Sequence, residues 1–380
     1  MNVKLKPLDQ QTIVITGASS GIGRATALQA AAKGAKVVLA ARSEDELRKV
    51  EQEITSKGGQ ALVVPTDVAN RGDICRLADR AIDYFGGFDT WVNDAGISIW
   101  GRLDEVSDYD HRRLFETNFW GVSNGSLEAV KYLRRHGGAL INVGSVASDV
   151  AIPLQGMYCA SKHAIKGFTD ALRMELEEVG APVSVTLIKP AAINTPFPQH
   201  ARNYMEKEPK LPPPVYEPEE VAAAILHAAT HSERDIYVGG GGKLMSTLNK
   251  HLPRAMDRLS ETLMVEQQKR NERPRKPQGS LHQPSHGGPV RGDHPGYVMK
   301  TSLYTRATMH PWAAGALMAL VGAATVALLG GKRSKSTAAT TPTTARAGLA
   351  PSLFNHPPVP AAQSPGPSTV GTTNQAGGGI

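Results

Sequence analysis

The chain has 380 residues, of which 41% are hydrophobic and 20% charged, and this composition excludes a wholly disordered protein. Two cysteines, Cys75 and Cys159, exclude a disulfide-rich scaffold and favour a reducing compartment. The net charge of +7 does not indicate a nucleic-acid-binding domain, because residues 1–249 contain 27 Lys and Arg against 30 Asp and Glu.

Short apolar, β-branched runs alternate with helical stretches over the first 240 residues. This alternation predicts one α/β domain with a doubly wound, seven-stranded parallel sheet that helices cover on both faces. The predicted strands are 12–16, 36–40, 61–64, 88–92, 139–143, 183–188 and 235–238. The clearest predicted helices are 24–33, 114–133, 158–178 and 218–230.

The pattern changes in two places along the chain. Residues 191–217 contain six prolines and predict a lid over a site or a surface excursion. Beyond 240, residues 243–268 predict an amphipathic helix that ends in a basic cluster at 269–276. We therefore divide the chain into an α/β domain (1–250), a basic helix with a Pro/Gly-rich linker (251–310), a candidate transmembrane helix (311–331) and a disordered tail (332–380).

The apolar run at 312–331 contains Thr325 as its single polar residue. Twenty helical residues span about 30 Å, the thickness of a bilayer core. We expect this run to anchor a cytoplasmic domain to a membrane, with an interfacial helix as the alternative. Both flanks are basic, which leaves its orientation open. The first residues of the chain lack an apolar run, so we expect no secretory signal.

A glycine-rich turn, residues 17–23 (GASSGIG), connects the first predicted strand to a helix. Glycines there allow a tight turn and close approach of the backbone to a pyrophosphate, which the helix N-terminus then binds. Arg42 follows the second strand, where an acidic residue would bind a ribose 2′-OH. Together with Arg24 it suits a 2′-phosphate, which predicts NADP(H), with NAD(H) as the second choice. The alternative is that both are ordinary solvated arginines.

Tyr158 and Lys162 lie four residues apart, on one face of a predicted helix. A nearby ammonium lowers the pKa of a tyrosine, which is otherwise about 10. Ser145 follows the predicted strand 139–143, at the sheet edge where open α/β sheets bind ligands. Asp67, after the third strand, could accept a hydrogen bond from an adenine amino group or could cap a helix.

Taken together with residues 93–96 (NDAG) and Asn118, these motifs resemble the classical short-chain dehydrogenase/reductase family over about residues 8–245. The resemblance implies an NAD(P)-binding Rossmann fold and hydride transfer between nicotinamide and a carbonyl or alcohol. It implies a catalytic tetrad of Asn118, Ser145, Tyr158 and Lys162, with Tyr158 as general acid/base. The implied cofactor-binding residues are Gly17, Ser19, Ser20, Gly21, Ile22, Gly23, Arg24, Arg42, Asp67, Val68, Asn93, Ala95, Gly96, Tyr158, Lys162, Pro190, Ile193 and Thr195.

The chain departs from the family pattern at two positions, where Asp94 replaces an asparagine and Ala191 replaces a glycine. Neither departure touches the tetrad. We expect no bound metal, because the histidines lack ligand spacing, and we expect a homo-oligomer. The predicted pocket walls suggest a small apolar carbonyl or alcohol substrate; their apolar members are Ile97, Ile99, Trp100, Ile152, Leu154, Met157 and Phe197.

Two other functions compete with the enzyme hypothesis. The same fold could serve as a non-catalytic, membrane-tethered NAD(P)-binding sensor or scaffold. The basic cluster at 269–276 could bind anionic lipid; nucleic acid is disfavoured, because no aromatic residues are interleaved with its charges.

Overall fold

The computed structural model describes residues 3–285 and 287–311. The strands in this part of the chain are β1 (Thr12–Thr16), β2 (Lys36–Ala41), β3 (Gln60–Pro65), β4 (Thr90–Asn93), β5 (Ile99–Trp100), β6 (Gly138–Val143), β7 (Val183–Pro190), β8 (Ala192–Ile193), β9 (Arg202–Asn203), β10 (Val215–Tyr216), β11 (Asp235–Val238) and β12 (Val298–Met299). The α-helices are α1 (Gly21–Ala32), α2 (Glu44–Thr55), α3 (Arg71–Phe85), α4 (Asp108–Phe115), α5 (Gly121–His136), α6 (Gly156–Glu178), α7 (Phe197–His200), α8 (Pro218–Ala228), α9 (Gly240–His251), α10 (Pro253–Leu259), α11 (Val265–Gln267) and α12 (Leu303–Met309).

The main sheet has seven parallel strands in the order β11-β7-β6-β4-β1-β2-β3. This confirms the predicted Rossmann-type α/β fold and its seven-stranded parallel sheet. β1 lies inside the sheet between β2 and β4, with Ile13 opposite Val37 on one side and Thr90 on the other. Its residues are fully or almost fully buried, as expected for a strand that helices cover on both faces. The strand order reverses between β1 and β4, and the carboxyl ends beside that point form the usual ligand crevice of such sheets.

Two predicted helices are interrupted in the structure. The predicted helix 114–133 consists of α4, a π-helical turn at Glu116–Trp120, and α5. The predicted single helix 243–268 is wrong: α9 ends at His251 and α10 begins at Pro253. Proline lacks the N–H that a continuous helix needs and its ring collides with the preceding turn, so the chain changes direction there.

Residues 274–310, for which the sequence predicts a linker, pack against the α/β domain instead. β12 pairs with β10, and α12 packs beside β11. Thr305 of α12 is fully buried; its hydroxyl accepts a hydrogen bond from Gly239 N at 3.0 Å and donates one to Tyr237 O at 3.2 Å. A flexible spacer would leave these partners in water, so this stretch belongs to the same folded unit as residues 3–250.

The basic cluster at 269–276 is paired with carboxylates rather than presented as a free cationic patch. Arg270, which is buried, lies 2.6 Å from Asp293, and Arg275 lies 2.7 Å from the same carboxylate. Lys269 pairs with Glu266. These ion pairs neutralise much of the charge that suggested lipid binding.

The candidate membrane helix at 312–331 and the tail at 332–380 lie outside the described residues. Among the helices of residues 3–311 that the structure describes, none combines the length and apolar character needed to cross a bilayer.

Candidate active site

A cavity of about 580 Å³ runs along the carboxyl ends of the central strands. The glycine-rich turn at 17–22, Tyr158 and the segment at 190–197 all line it. The cavity therefore joins the predicted cofactor turn to the predicted chemical residues. Of the implied cofactor-binding residues, those lining it are Gly17, Ser19, Ser20, Gly21, Ile22, Arg42, Asp67, Val68, Ala95, Gly96, Tyr158, Lys162, Pro190, Ile193 and Thr195.

The glycine-rich turn has the geometry that a dinucleotide needs. Gly17 has a φ of +76°, and a Cβ added there would lie 2.9 Å from the backbone of Ala95. A Cβ on Gly23 would lie 2.4 Å from the carbonyl oxygen of Gly17, so α1 can approach β1 only with glycine at that position. A Cβ on Gly21 would meet Thr195 at 3.2 Å. Side chains at 17 and 23 would therefore push the turn away from its neighbours, and one at 21 would narrow the space between the turn and Thr195.

Tyr158, Lys162 and Ser145 converge at the inner end of the cavity. Tyr158 and Lys162 lie on the first turns of α6, and Ser145 begins the short 3₁₀ turn at Val146–Ser148. Burial raises the pKa of the Tyr158 hydroxyl above its ordinary value, and a hydrogen bond with Ser145 offsets part of the rise. The lowering predicted from Lys162 is not found: burial dominates the pKa of the phenol, and Cys159 and Asp94 raise it further, so the phenol is protonated at neutral pH.

Lys162 is held by the backbone of the neighbouring strand. Its Nζ donates a hydrogen bond to Val143 O, the last residue of β6, at 2.8 Å. Burial lowers the pKa of the ammonium to about 8, against the opposing attraction of Asp94. Lys162 therefore carries its charge at neutral pH and places it beside Tyr158, 5.7 Å from the ring centre.

Asn118 lies on the π-helical turn between α4 and α5 and is fully buried. Its side-chain amide donates to Ile97 O at 2.9 Å and its side-chain oxygen accepts from Ile97 N at 2.9 Å, while Ser161 Oγ provides a third partner. Single π turns within α-helices are frequent at functional sites. The turn fixes Asn118 between the loop after β4 and the start of α6.

Asp94, one of the two departures from the family pattern, lines the cavity next to Lys162. Burial raises the pKa of its carboxyl to about 7, while attraction to Lys162 and a hydrogen bond from the backbone N–H of Gly23 oppose the rise. An asparagine here would carry no charge at any pH. The substitution therefore adds a titratable group next to the predicted tetrad.

The adenosine end of the cavity differs in part from the prediction. Asp67 accepts an ion-paired hydrogen bond from Arg113 at 2.6 Å, and the N-cap of α3 is Asn70 rather than Asp67. The side chain of Asn93 is buried behind the sheet, where it bonds Asn142 at 2.9 Å and Trp91 at 2.9 Å, and it does not line the cavity. The sequence did not predict that Arg113 pairs with Asp67, because Arg113 belongs to none of the motifs.

The substrate end of the cavity is mostly apolar. Ile97, Ile152 and Phe197 line it as predicted, and Phe197 packs edge-on against Tyr158 with ring centres 5.6 Å apart. Ile99, Trp100, Leu154 and Met157 do not line it. The sequence missed the contribution of the broken helix after residue 240; its lining side chains are Met245, Met256, Leu259, Leu263 and Met264.

Comparisons with known proteins agree with this geometry. A family model described as short chain dehydrogenase matches residues 11–206. An uncharacterized oxidoreductase of Bacillus subtilis (strain 168), YxnA, is 46% identical over 322 residues, covering 83% of this chain and 90% of that protein.

Two solved structures are similar over the α/β domain. One is a short chain dehydrogenase/reductase from Burkholderia phymatum in complex with NAD, with a TM-score of 0.60 and 27% identity, covering 66% of this chain and 96% of that one. The other is an alcohol dehydrogenase from the archaeon Thermococcus sibiricus complexed with 5-hydroxy-NADP, with a TM-score of 0.53 and 26% identity, covering 60% of this chain and 95% of that one.

Proposed function

Because the chain belongs to the short-chain dehydrogenase/reductase family and is an oxidoreductase, we propose that it reduces an apolar carbonyl compound, or oxidises the matching secondary alcohol, with NAD(P)(H) and Tyr158 as general acid/base. The observation that carries this proposal is the convergence of Tyr158, Ser145 and Lys162 on a cavity that begins at the glycine-rich turn. The nicotinamide ring, when bound, supplies or accepts the hydride. The residues that would hold the dinucleotide are the turn at 17–22, Lys162 and the segment at 190–195.

The protein's own contribution to this reaction is placement and proton transfer. Ser145 holds the reacting oxygen by hydrogen bonding and stabilises the negative charge that develops on it. Tyr158, protonated at neutral pH, gives its proton to that oxygen during reduction. Lys162, still charged at pH 7, stabilises the phenolate left behind and so favours the transfer.

The substrate class follows from the lining of the inner cavity. Methionine and leucine side chains from the region after 240, together with Phe197 and Ile152, offer an apolar surface with few polar partners. His200, which also lines it, is neutral at pH 7, because burial lowers its pKa to about 4. A bulky apolar ketone or secondary alcohol fits this surface better than a charged or sugar-like compound.

The experiment is a substrate screen that follows NADH and NADPH absorbance with a panel of apolar, aromatic and charged carbonyl compounds. We expect turnover with apolar members and little with charged ones. The alternative of a non-catalytic sensor or scaffold predicts binding of dinucleotide without turnover of any compound, and the similarity to oxidoreductases disfavours it.

Membrane attachment and cofactor preference remain predictions from the sequence. We propose that residues 312–331 tether the enzyme to a membrane from the cytoplasmic side. The predicted preference for NADP(H) rests on Arg24 and Arg42. It therefore depends on which hydrogen bonds these two guanidiniums already make within the protein.

A further inference from the structure

Residues 278–285 and 287–293, together called the strap, lie across the predicted adenosine end of the cavity. Ser280, Pro284 and Ser285 line the cavity from the strap side. The strap is anchored at its first end by Leu281, which is fully buried in one hydrophobic cluster with Tyr158 and Ile97. Its other end is anchored where Gly292 N donates to Asn194 O at 3.2 Å.

Glycines allow the strap backbone to touch the backbone of the site. A Cβ on Gly288 would lie 2.1 Å from Ser19 O in the cofactor turn, and one on Gly292 would lie 2.3 Å from Thr195 O. Gly288 N and Gly287 N donate to the Glu46 carboxylate of α2 at 3.0 and 3.1 Å. No larger residue fits at 288 or 292 without moving the strap.

Carbonyl oxygens of the strap also accept hydrogen bonds from the Arg42 donors that a 2′-phosphate would need. Arg42 Nη2 donates to Ser280 O at 2.5 Å and to Gln283 O at 3.2 Å, and Nη1 donates to Leu281 O at 3.3 Å. A guanidinium can bind an anion through two parallel hydrogen bonds, either from Nη1 and Nη2 or from Nε and Nη2. Both arrangements need a free N–H on Nη2. With both Nη2 hydrogens directed at strap carbonyls, neither arrangement is available to Arg42.

Arg24, the second predicted 2′-phosphate ligand, is engaged in the same way. Its Nη1 donates to Gly288 O at 2.7 Å and its Nη2 pairs with Glu53 at 3.1 Å. The N–H of Gly21, at the start of α1, donates to Pro289 O at 3.1 Å. Strap carbonyls thus accept hydrogen bonds from both arginines that are predicted to bind a 2′-phosphate. A carbonyl oxygen repels a phosphate but accepts a hydrogen bond from a hydroxyl.

We propose that the strap determines cofactor choice: closed, it favours NAD(H), and NADP(H) binds well only when the strap releases Arg42. This inference rests on the proposed function only in taking the cavity as a dinucleotide site. The cavity beneath the closed strap is still lined by the glycine-rich turn, Asp67 and Lys162, so we infer that a dinucleotide with a free 2′-OH is held there without release of Arg42. The NADP(H) preference predicted from the sequence then belongs to the strap-released form.

The test measures dissociation constants for NADH and NADPH by the fluorescence of the reduced nicotinamide, in the full chain and without substrate. In Gly288→Ala the new methyl displaces the strap, and in Glu46→Ala the strap loses its carboxylate anchor. Glu46 does not line the cavity, so it does not contact the cofactor directly. We expect either change to shift the NADH/NADPH affinity ratio toward NADPH by about tenfold or more, the effect of one charge-assisted hydrogen bond.

Matched controls separate the strap from general loosening. Gly167→Ala adds a methyl that meets nothing within 4 Å, and Glu51→Ala removes a carboxylate from the same helix as Glu46 where it pairs only with Arg48 among the described residues. Both controls should keep the wild-type ratio. Arg42→Ala added to Gly288→Ala should abolish the gain in NADPH affinity relative to NADH, because that gain depends on the freed Arg42 guanidinium.

The outcomes distinguish the two proposals. An unchanged ratio in folded Gly288→Ala and Glu46→Ala, or a gain that survives Arg42→Ala, would overturn the strap inference while leaving the enzyme assignment intact. If Gly288→Ala does not fold, Glu46→Ala decides alone. Failure of the wild-type chain and the variants to bind either dinucleotide would overturn the proposed function and the strap inference together.

Discussion

Tyr158 is the residue whose chemistry the proposed reaction uses. Burial raises its pKa and a hydrogen bond with Ser145 lowers it in part, so the proposed proton donor is protonated at neutral pH. Lys162 places a positive charge beside it and is itself oriented by the carbonyl of Val143. The proposed acid, the residue proposed to stabilise its phenolate and the hydroxyl proposed to bind the reacting oxygen come from two elements, α6 and the turn after β6, which meet at the sheet edge.

The first prediction concerns Tyr158→Phe. We expect kcat to fall by about 10²–10⁴-fold, the usual contribution of general acid/base catalysis, while the dissociation constant for NADH changes little. The phenylalanine ring keeps the packing against Phe197 and removes only the hydroxyl. Steady-state kinetics with the best carbonyl from the screen, together with cofactor fluorescence, measure both quantities. A variant that retains near wild-type kcat would show that the proton comes from elsewhere.

A second prediction follows from Asp94, whose carboxyl has a pKa of about 7 in the folded protein. An unfolded chain releases this proton near pH 4, so between about pH 4 and 7 the folded state binds more protons than the unfolded state. The free energy of unfolding contributed by this group therefore decreases as pH rises, by at most about 1.4 kcal/mol per pH unit.

Asp94→Asn should remove that slope. We expect the variant to gain stability relative to wild type as the pH is raised from 5 to 7.5, measured by urea unfolding at both values. Asp104→Asn, at an exposed position, is the control. If the free energies of unfolding of the wild type and Asp94→Asn differ by the same amount at both pH values, this titration does not belong to Asp94.

At the scale of elements, the seven main strands were predictable because each is a short β-branched run between turn signals. The candidate site was predictable from short motifs: the glycine-rich turn follows β1, residues 93–96 stand at the end of β4, Ser145 follows β6, and Tyr158 and Lys162 lie four residues apart on α6. The strap was not predictable. Its glycines, prolines and serines have the composition of a linker, and its contacts are backbone carbonyls to Arg42 and Arg24, which leave no periodic signal in the sequence.

The docking of α12 allows a third prediction. Thr305→Val keeps the shape of the side chain but leaves the buried Gly239 N–H without its partner. We expect a loss of about 1–3 kcal/mol in the free energy of unfolding, the desolvation cost of one unpaired buried donor. Thr308→Val, at an exposed position about one helical turn further along α12, should lower the free energy of unfolding by less than about 0.5 kcal/mol. Equal losses in the two variants would mean that α12 is not held at Thr305.

At the scale of the whole molecule, the stretch at 251–311 belongs to the same folded unit as the α/β domain, whereas the sequence predicts a separate helix and linker there. The α/β fold of residues 11–206 carries the family pattern, yet the cavity is completed by side chains and carbonyls beyond residue 240. Similarity to YxnA over 83% of this chain reaches past that family region. A truncation after residue 273 would remove the strap, β12 and α12, and so would leave the cavity uncovered and Gly239 unpaired.

The fourth prediction tests the tether. We expect full-length protein to sediment with membranes and to resist extraction by high salt, because a 20-residue apolar run is held by burial of its side chains rather than by charge. A chain ending at residue 311 should remain in the supernatant and keep its activity. Full-length protein found wholly in the soluble fraction at low salt would exclude the anchor.

The late position of the strap also has a consequence for biosynthesis. On the ribosome, β11 and everything needed for the central sheet emerge before residues 278–293, so the nascent domain can fold with its adenosine crevice open. A dinucleotide that enters during this interval is then covered when β12 reaches β10 and α12 reaches β11. Under the strap proposal, loading of NADP(H) during translation and its exchange in the finished protein would be separate kinetic events, the first limited by diffusion and the second by release of Arg42 from the strap.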